Sequence, residues 1–118
     1  MSTLVIQGTL TELPDGGVRQ DIGVSVGLAR PAARRSLLLA SDAAVAVNLD
    51  GWDGLHVIDM EADGKVTALL TSADGTAQAI PFDDRLLIVS RRAAYTALSL
   101  VRAPGQSATV IITLGQAS

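Results

Sequence analysis

The chain has 118 residues, no cysteine and a formal net charge of −3. That length suits one domain; the lack of cysteine excludes disulfides, thiolate metal sites and thiol nucleophiles, and the acidic balance argues against a nucleic-acid partner. Hydrophobic residues make up 48% of the chain and aromatics only 3%, so the core must be built from Val, Leu, Ile and Ala.

Alternation of apolar and polar residues is the main local signal, and it predicts strands. Thr3 to Leu13 reads as the first, with Leu4, Ile6 and Leu10 on one face. Pro14-Asp15-Gly16-Gly17 is a turn, since proline presets φ and glycine accepts a positive one. Val18 to Leu28 alternates again through Ile22, Val24, Val26 and Leu28, so the two segments should form a hairpin. Ala29 to Arg35 reads as a loop or a short helical turn broken at Pro31. Ser36 to Leu39 is apolar, and Ala44 to Leu49 alternates.

Asp50-Gly51-Trp52-Asp53-Gly54 is a loop before the strand Leu55 to Met60, which closes at Ala62-Asp63-Gly64-Lys65. Val66 to Thr71 follows, closed by Ala73-Asp74-Gly75-Thr76. Both Asp-Gly pairs suit tight hairpin connections. Pro81 demotes the short run Ala77 to Ile80 to an edge, and Leu86 to Val89 reads as a fully buried strand. Ser90 to Ala97 would tolerate a helical turn, but a loop leading into a strand from Thr96 to Val101 fits better. Pro104-Gly105-Gln106 turns the chain into the last strand, Ala108 to Leu114, with Val110, Ile112 and Leu114 inward. Eight or nine short strands at this spacing predict one all-β domain over residues 1–118, an antiparallel β-sandwich of jelly-roll kind.

Several short patterns imitate chemistry. Gly23-Val24-Ser25-Val26-Gly27 matches the G-x-S-x-G of the hydrolase nucleophile elbow, and Asp50, Asp53 and His56 follow in hydrolase order. An elbow needs a strained turn at the serine and a helix behind it. Here alternation runs straight through Ser25, and Pro31 stops any following helix. His56, the only histidine, falls in a predicted strand. No enzyme is expected on these grounds. Asp59-Met60-Glu61-Ala62-Asp63-Gly64 imitates an EF-hand start, but the twelfth position, which must be a bidentate acid, is Leu70. A calcium site of another kind would have to draw on Asp50, Asp53 or Asp63. No phosphate-binding glycine loop and no cofactor motif is present. No basic leader followed by an apolar run opens the chain, and no apolar run approaches the roughly 18 residues of a membrane span, so neither a secretory signal nor a membrane helix is expected.

Charge is unevenly spread. Residues 42–84 carry nine acids against Lys65 alone, whereas residues 85–118 carry Arg85, Arg91, Arg92 and Arg102 and no acid. Eight of the nine basic residues are arginine, the cation favoured at interfaces. The mean hydropathy of +0.38 is high for a monomer and suggests apolar surface that another subunit covers. Trp52, alone in a Gly-Asp loop, reads either as a plug at one end of the sandwich or, if exposed, as a platform for a sugar ring.

The second half carries a resemblance. Asp50-Gly51-Trp52, then Asp59 to Lys65, then Ile80-Pro81-Phe82 running into Leu86 to Ser90, then Thr96 to Leu100 and Gly105 to Ile112, resemble in their layout small all-β virion proteins of tailed bacteriophages, such as head decoration proteins and tail or baseplate accessories. The resemblance covers residues 50–115. It implies a non-enzymatic part of the virion that needs no cofactor, forms a closed homo-oligomer, a trimer being the expected form, and binds the major capsid protein or another virion protein. Interface candidates are Arg85, Arg91, Arg92, Arg102 and Trp52, with Asp59, Glu61 and Asp63 as acidic counterparts on a neighbour. The first strand, Thr3 to Leu13, could also lend itself across a partner's edge. The alternative is a carbohydrate-binding sandwich, for which Trp52 would have to be exposed.

Overall fold

Ten strands, and no helix among the described residues, account for the alternation. The computed structural model describes residues 2–11, 19–90 and 94–117. The strands are β1 (Ser2–Thr11), β2 (Arg19–Leu28), β3 (Ala33–Leu39), β4 (Val45–Ala46), β5 (Val57–Ala62), β6 (Val66–Ser72), β7 (Ala77–Phe82), β8 (Arg85–Val89), β9 (Tyr95–Arg102) and β10 (Ala108–Gly115). They form three antiparallel sheets: the pair β1-β2, a first four-stranded sheet in the order β3-β10-β5-β8, and a second in the order β4-β9-β6-β7.

The pairing is nested. β6 pairs with β7, β5 with β8, β4 with β9 and β3 with β10, all antiparallel. The chain from β3 to β10 is therefore one long hairpin whose two arms wrap together from sheet to sheet. That is the jelly roll, and the expected fold class holds. The inward-facing side chains of both sheets meet in one core, in which Leu39, Leu55, Ile58, Met60, Leu70, Leu98, Leu100, Ile112 and Leu114 are almost fully buried. Each aliphatic side chain of that size contributes about 1.5–3 kcal/mol when taken from water.

The β1-β2 pair belongs to neither sheet. Its ten register positions run from Ser2↔Leu28 to Thr11↔Arg19, forming an arm that enters the sandwich at Leu28. Its base is seated on a second, small cluster in which Val26 and Leu28 pack against Val57, with Leu4 and Ala117 alongside. Two backbone links fix it there: the bridge Leu28↔Ala117 and the Ala29 amide donating to the Gln116 carbonyl at 2.9 Å. The expected Pro14–Gly17 turn, together with Leu13 and Val18, lies outside the described residues.

Four expectations change, the first being the count: ten strands stand among the described residues where eight or nine were expected. Arg34 and Arg35 stand in β3 and not in a loop, because the strand continues as far as Ala33 opposite Leu114. Leu86 to Val89 is not fully buried: β8 is the edge of its sheet, and Leu87 and Val89 reach solvent. The strand buried on both faces is β5, where Val57, Ile58, Asp59 and Met60 are all covered, Val57 by the seated arm. Asp63-Gly64 makes no hairpin, because β5 and β6 lie in different sheets. Asp63 instead ties this corner to β10, its amide donating to the Thr109 carbonyl at 3.2 Å and its carboxylate accepting the Thr109 amide at 2.7 Å. Asp74-Gly75 does close the β6-β7 hairpin, with Gly75 at φ 89°, a conformation that glycine adopts without penalty.

Candidate functional site

Polar side chains could do chemistry only if the fold left them gathered and unspent, and mostly it does not. Ser25 is an exposed strand residue opposite Val5 in the arm. It sits one position from Val26, which faces the seat, so Ser25 faces away from the sandwich. His56 lies just before β5, half-buried. Its amide donates to the Gly115 carbonyl at 3.0 Å, and its Nδ1 accepts the Ala117 amide at 3.4 Å. Its carbonyl accepts the Ser90 amide at 2.7 Å, so its polar groups are spent on tying β5 to the segments at Ser90 and Ala117. Leu70, the position an EF-hand would need for its last ligand, is in the core. Among the described residues, no three His, Cys, Asp or Glu side chains gather as metal ligands do.

The charged interface candidates are placed as follows. Asp59 on β5 and Arg85 on β8 pair within the chain through two parallel bonds, Nε to Oδ1 at 2.9 Å and Nη2 to Oδ2 at 3.0 Å. This bond raises the Arg85 pKa above its ordinary value. Arg102, at the end of β9, gives its Nε to Asp42 at 3.0 Å and its Nη1 to the Ser107 hydroxyl at 3.3 Å. Asp42 also accepts the Gly105 amide at 3.2 Å. That amide first, and Arg102 second, hold the Asp42 carboxyl below its usual range. Asp63 is spent on Thr109. Glu61 is exposed and stands opposite Arg85 across β5 and β8. Arg91 and Arg92 lie outside the described residues.

Trp52 is half-buried against the main core. The Arg30 guanidinium lies 4.2 Å from its ring centroid and donates to the Gly51 carbonyl, while Arg35 donates to the Asn48 carbonyl. The loop holding Trp52 is thus latched by two arginines, and one ring face is occupied by a cation–π partner. A sugar-stacking platform needs that face open.

The two outer sheet faces differ in chemistry. Register places Arg34, Glu61, Asp59 and Arg85 on the outside of the first sheet. On the outside of the second, β6 presents Thr67, Leu69 and Thr71, β9 presents Ala97, Ser99 and Val101, β7 presents Ala77, Ala79 and Pro81, and β4 presents Ala46. Not one of these is charged. A solvated antiparallel sheet normally carries polar, often charged, residues on its wet side, so a face of small uncharged side chains is unusual. At one end it runs into a cleft of about 590 Å³ whose lining includes Val66, Phe82 and Val101 together with the charged Asp42, Lys65 and Arg102. Sequence reasoning missed this face. Its signal is there in every second residue of three strands, but it is visible only once the register aligns them.

Compared with protein-family models, with curated proteins and with solved structures, the chain matches none.

Proposed function

We propose that this chain is a non-enzymatic structural protein of a virion, one that decorates and stabilises a bacteriophage capsid through protein–protein contacts. The uncharged outer face of the second sheet carries this reading. It is a surface of Ala, Thr, Ser, Leu, Val and Pro, which costs little to desolvate and suits packing against another subunit. The jelly roll is a fold that capsid and lectin domains share, so it is compatible with this reading without deciding it. Ser25 faces away from the sandwich and the His56 Nδ1 accepts the Ala117 amide, which favours a binding role. The sugar-binding alternative loses ground because Arg30 occupies a face of Trp52.

The test is peptide mass spectrometry of purified particles from the source that encodes the chain, together with sedimentation of the purified protein with those particles. The chain should be present in many copies and should co-sediment. Replacing Leu69 and Ala79 by glutamate should abolish binding without unfolding the sandwich. Particles free of the chain, or binding that survives both substitutions, would sink the proposal.

A further inference from the structure

The edges of the two sheets are guarded unequally. Unpaired strand edges invite other chains, and folded proteins blunt them with charge, proline or brevity. β4 is only two residues long. β8 begins with the Arg85 pair, and β3 carries Arg34 and Arg35. β7, the other edge of the second sheet, has the sequence Ala77-Gln78-Ala79-Ile80-Pro81-Phe82 and bears no charge. Pro81 is its single guard, and Ala77, Gln78 and Ala79 are all exposed.

We infer that β7 of one copy receives β3 of a second copy as an added antiparallel strand, so that subunits join head to tail. This rests on the proposed structural role and specifies how such subunits would associate. Both are edge strands, the charge that guards β3 is matched by the acids that flank β7, and the nested order puts the two on opposite flanks: β3 and β4 lie on one side of the sandwich, β7 and β8 on the other. A contact between opposite flanks is heterologous and repeats from copy to copy.

Charge selects the partner and the direction. β7 is bracketed by acids, Asp74 before it and Asp83 and Asp84 after it. Pairing β7 with itself across a two-fold axis would bring Asp83 toward the partner's Asp74, and like charges facing each other across strands are unfavourable. β3 brings the opposite sign. Arg34 is exposed and, among the described residues, has no partner, whereas Arg30, Arg35, Arg85 and Arg102 are each engaged within the chain. The Asp74 carboxylate is already occupied by the Ser72 hydroxyl and the Thr76 amide, and Asp84 acts on Arg85 of its own chain, so the acid left for Arg34 is Asp83. That requires antiparallel pairing, with Ser36 opposite Ala79 and Arg34 on the diagonal from Asp83, within reach of a long side chain. Leu38, 65% exposed at the far end of β3, then covers Ala77.

The chain has no cysteine, so Ser36→Cys and Ala79→Cys test the pairing directly. Both residues are exposed, and directly opposed residues in a sheet fall within disulfide reach. Mixing the two single variants under mild oxidation should give a linked pair, and the double variant a ladder of multimers. Arg34→Glu should weaken association about tenfold in light scattering, and adding Asp83→Arg should restore it. Efficient linkage of Ala79→Cys alone would overturn the inference in favour of symmetric pairing. A chain that stays monomeric and never links would overturn it outright. Particle binding by such a monomer would leave the structural role standing, while a linked ladder from a chain absent from particles would remove the role and keep the pairing.

Discussion

Asp59 and Arg85 are bound by two hydrogen bonds of 2.9 and 3.0 Å across the neighbouring strands β5 and β8, yet they do not share the cost of burial equally. The Asp59 side chain is 12% exposed and that of Arg85 33%. Removing Arg85 leaves a carboxylate shut away from water without its partner, whereas removing Asp59 leaves a guanidinium that can still reach solvent. Arg85→Ala should therefore cost about 2–3 kcal/mol and Asp59→Ala about 1 kcal/mol. Urea denaturation of both variants would check the order. Equal losses would show that the carboxylate finds another donor.

The arm and the sandwich are held by separate apolar clusters, so they should fail separately. A Cβ at Gly115 would meet Leu28 Cδ2 at 3.1 Å, Val57 Cβ at 3.3 Å and Leu4 Cδ2 at 3.5 Å. The leucines can turn aside, but Val57 is stiff at χ1 and fixed in β5. Gly115→Ala should loosen the arm, speeding hydrogen exchange and protease cleavage in β1 and β2 while the sandwich amides stay protected. Leu100→Ala, in the main core, should instead lower global stability by about 2–5 kcal/mol. Simultaneous loss of protection in both regions on Gly115→Ala would show that they are one cooperative unit.

Asp74 sets an acid limit. The Ser72 hydroxyl, and after it the Thr76 amide, lower its pKa from 3.8 to about 2. Between those values the unfolded chain binds the proton and the folded chain does not, so stability rises with pH across that window. The contribution is fully present above pH 3.8 and is lost as pH falls through about 2. Asp74→Ala should flatten the pH dependence of the unfolding midpoint within that range and leave it unchanged near neutrality. An unaltered slope would assign the acid sensitivity to another carboxylate.

Much of the fold is legible in the sequence because alternation is a local property. Val110, Ile112 and Leu114 read as inward and are, and Pro81 marks β7 as an edge strand. What the sequence withholds is non-local. Leu86 to Val89 is wholly apolar and Val57 to Met60 includes Asp59, yet the first strand lies at a sheet edge and the second beneath the arm. Arg85 and Arg102 look like free arginines because their partners, Asp59 and Asp42, are 26 and 60 residues away. Arg34, hidden in an apparent loop, has no partner among the described residues. The uncharged face depends on the relative register of β6, β7 and β9, which no single segment encodes.

The nested order also dictates when the sandwich can exist. β10 lies in the middle of its sheet, bonded to β3 on one side and β5 on the other, and it is the last of the ten strands to leave the ribosome. Until it emerges, β3 has no neighbour in its sheet, and Leu39, Ile58 and Met60 have lost the strand that covers them. Synthesis thus passes through a stage in which most of the apolar inventory exists but cannot be closed, and long-range pairing of this kind is slow and prone to aggregation. Yield in the cell should depend on how well nascent chains are shielded before β10 arrives, and a shortened chain ending before Ala108 should be recovered insoluble rather than as a smaller folded domain.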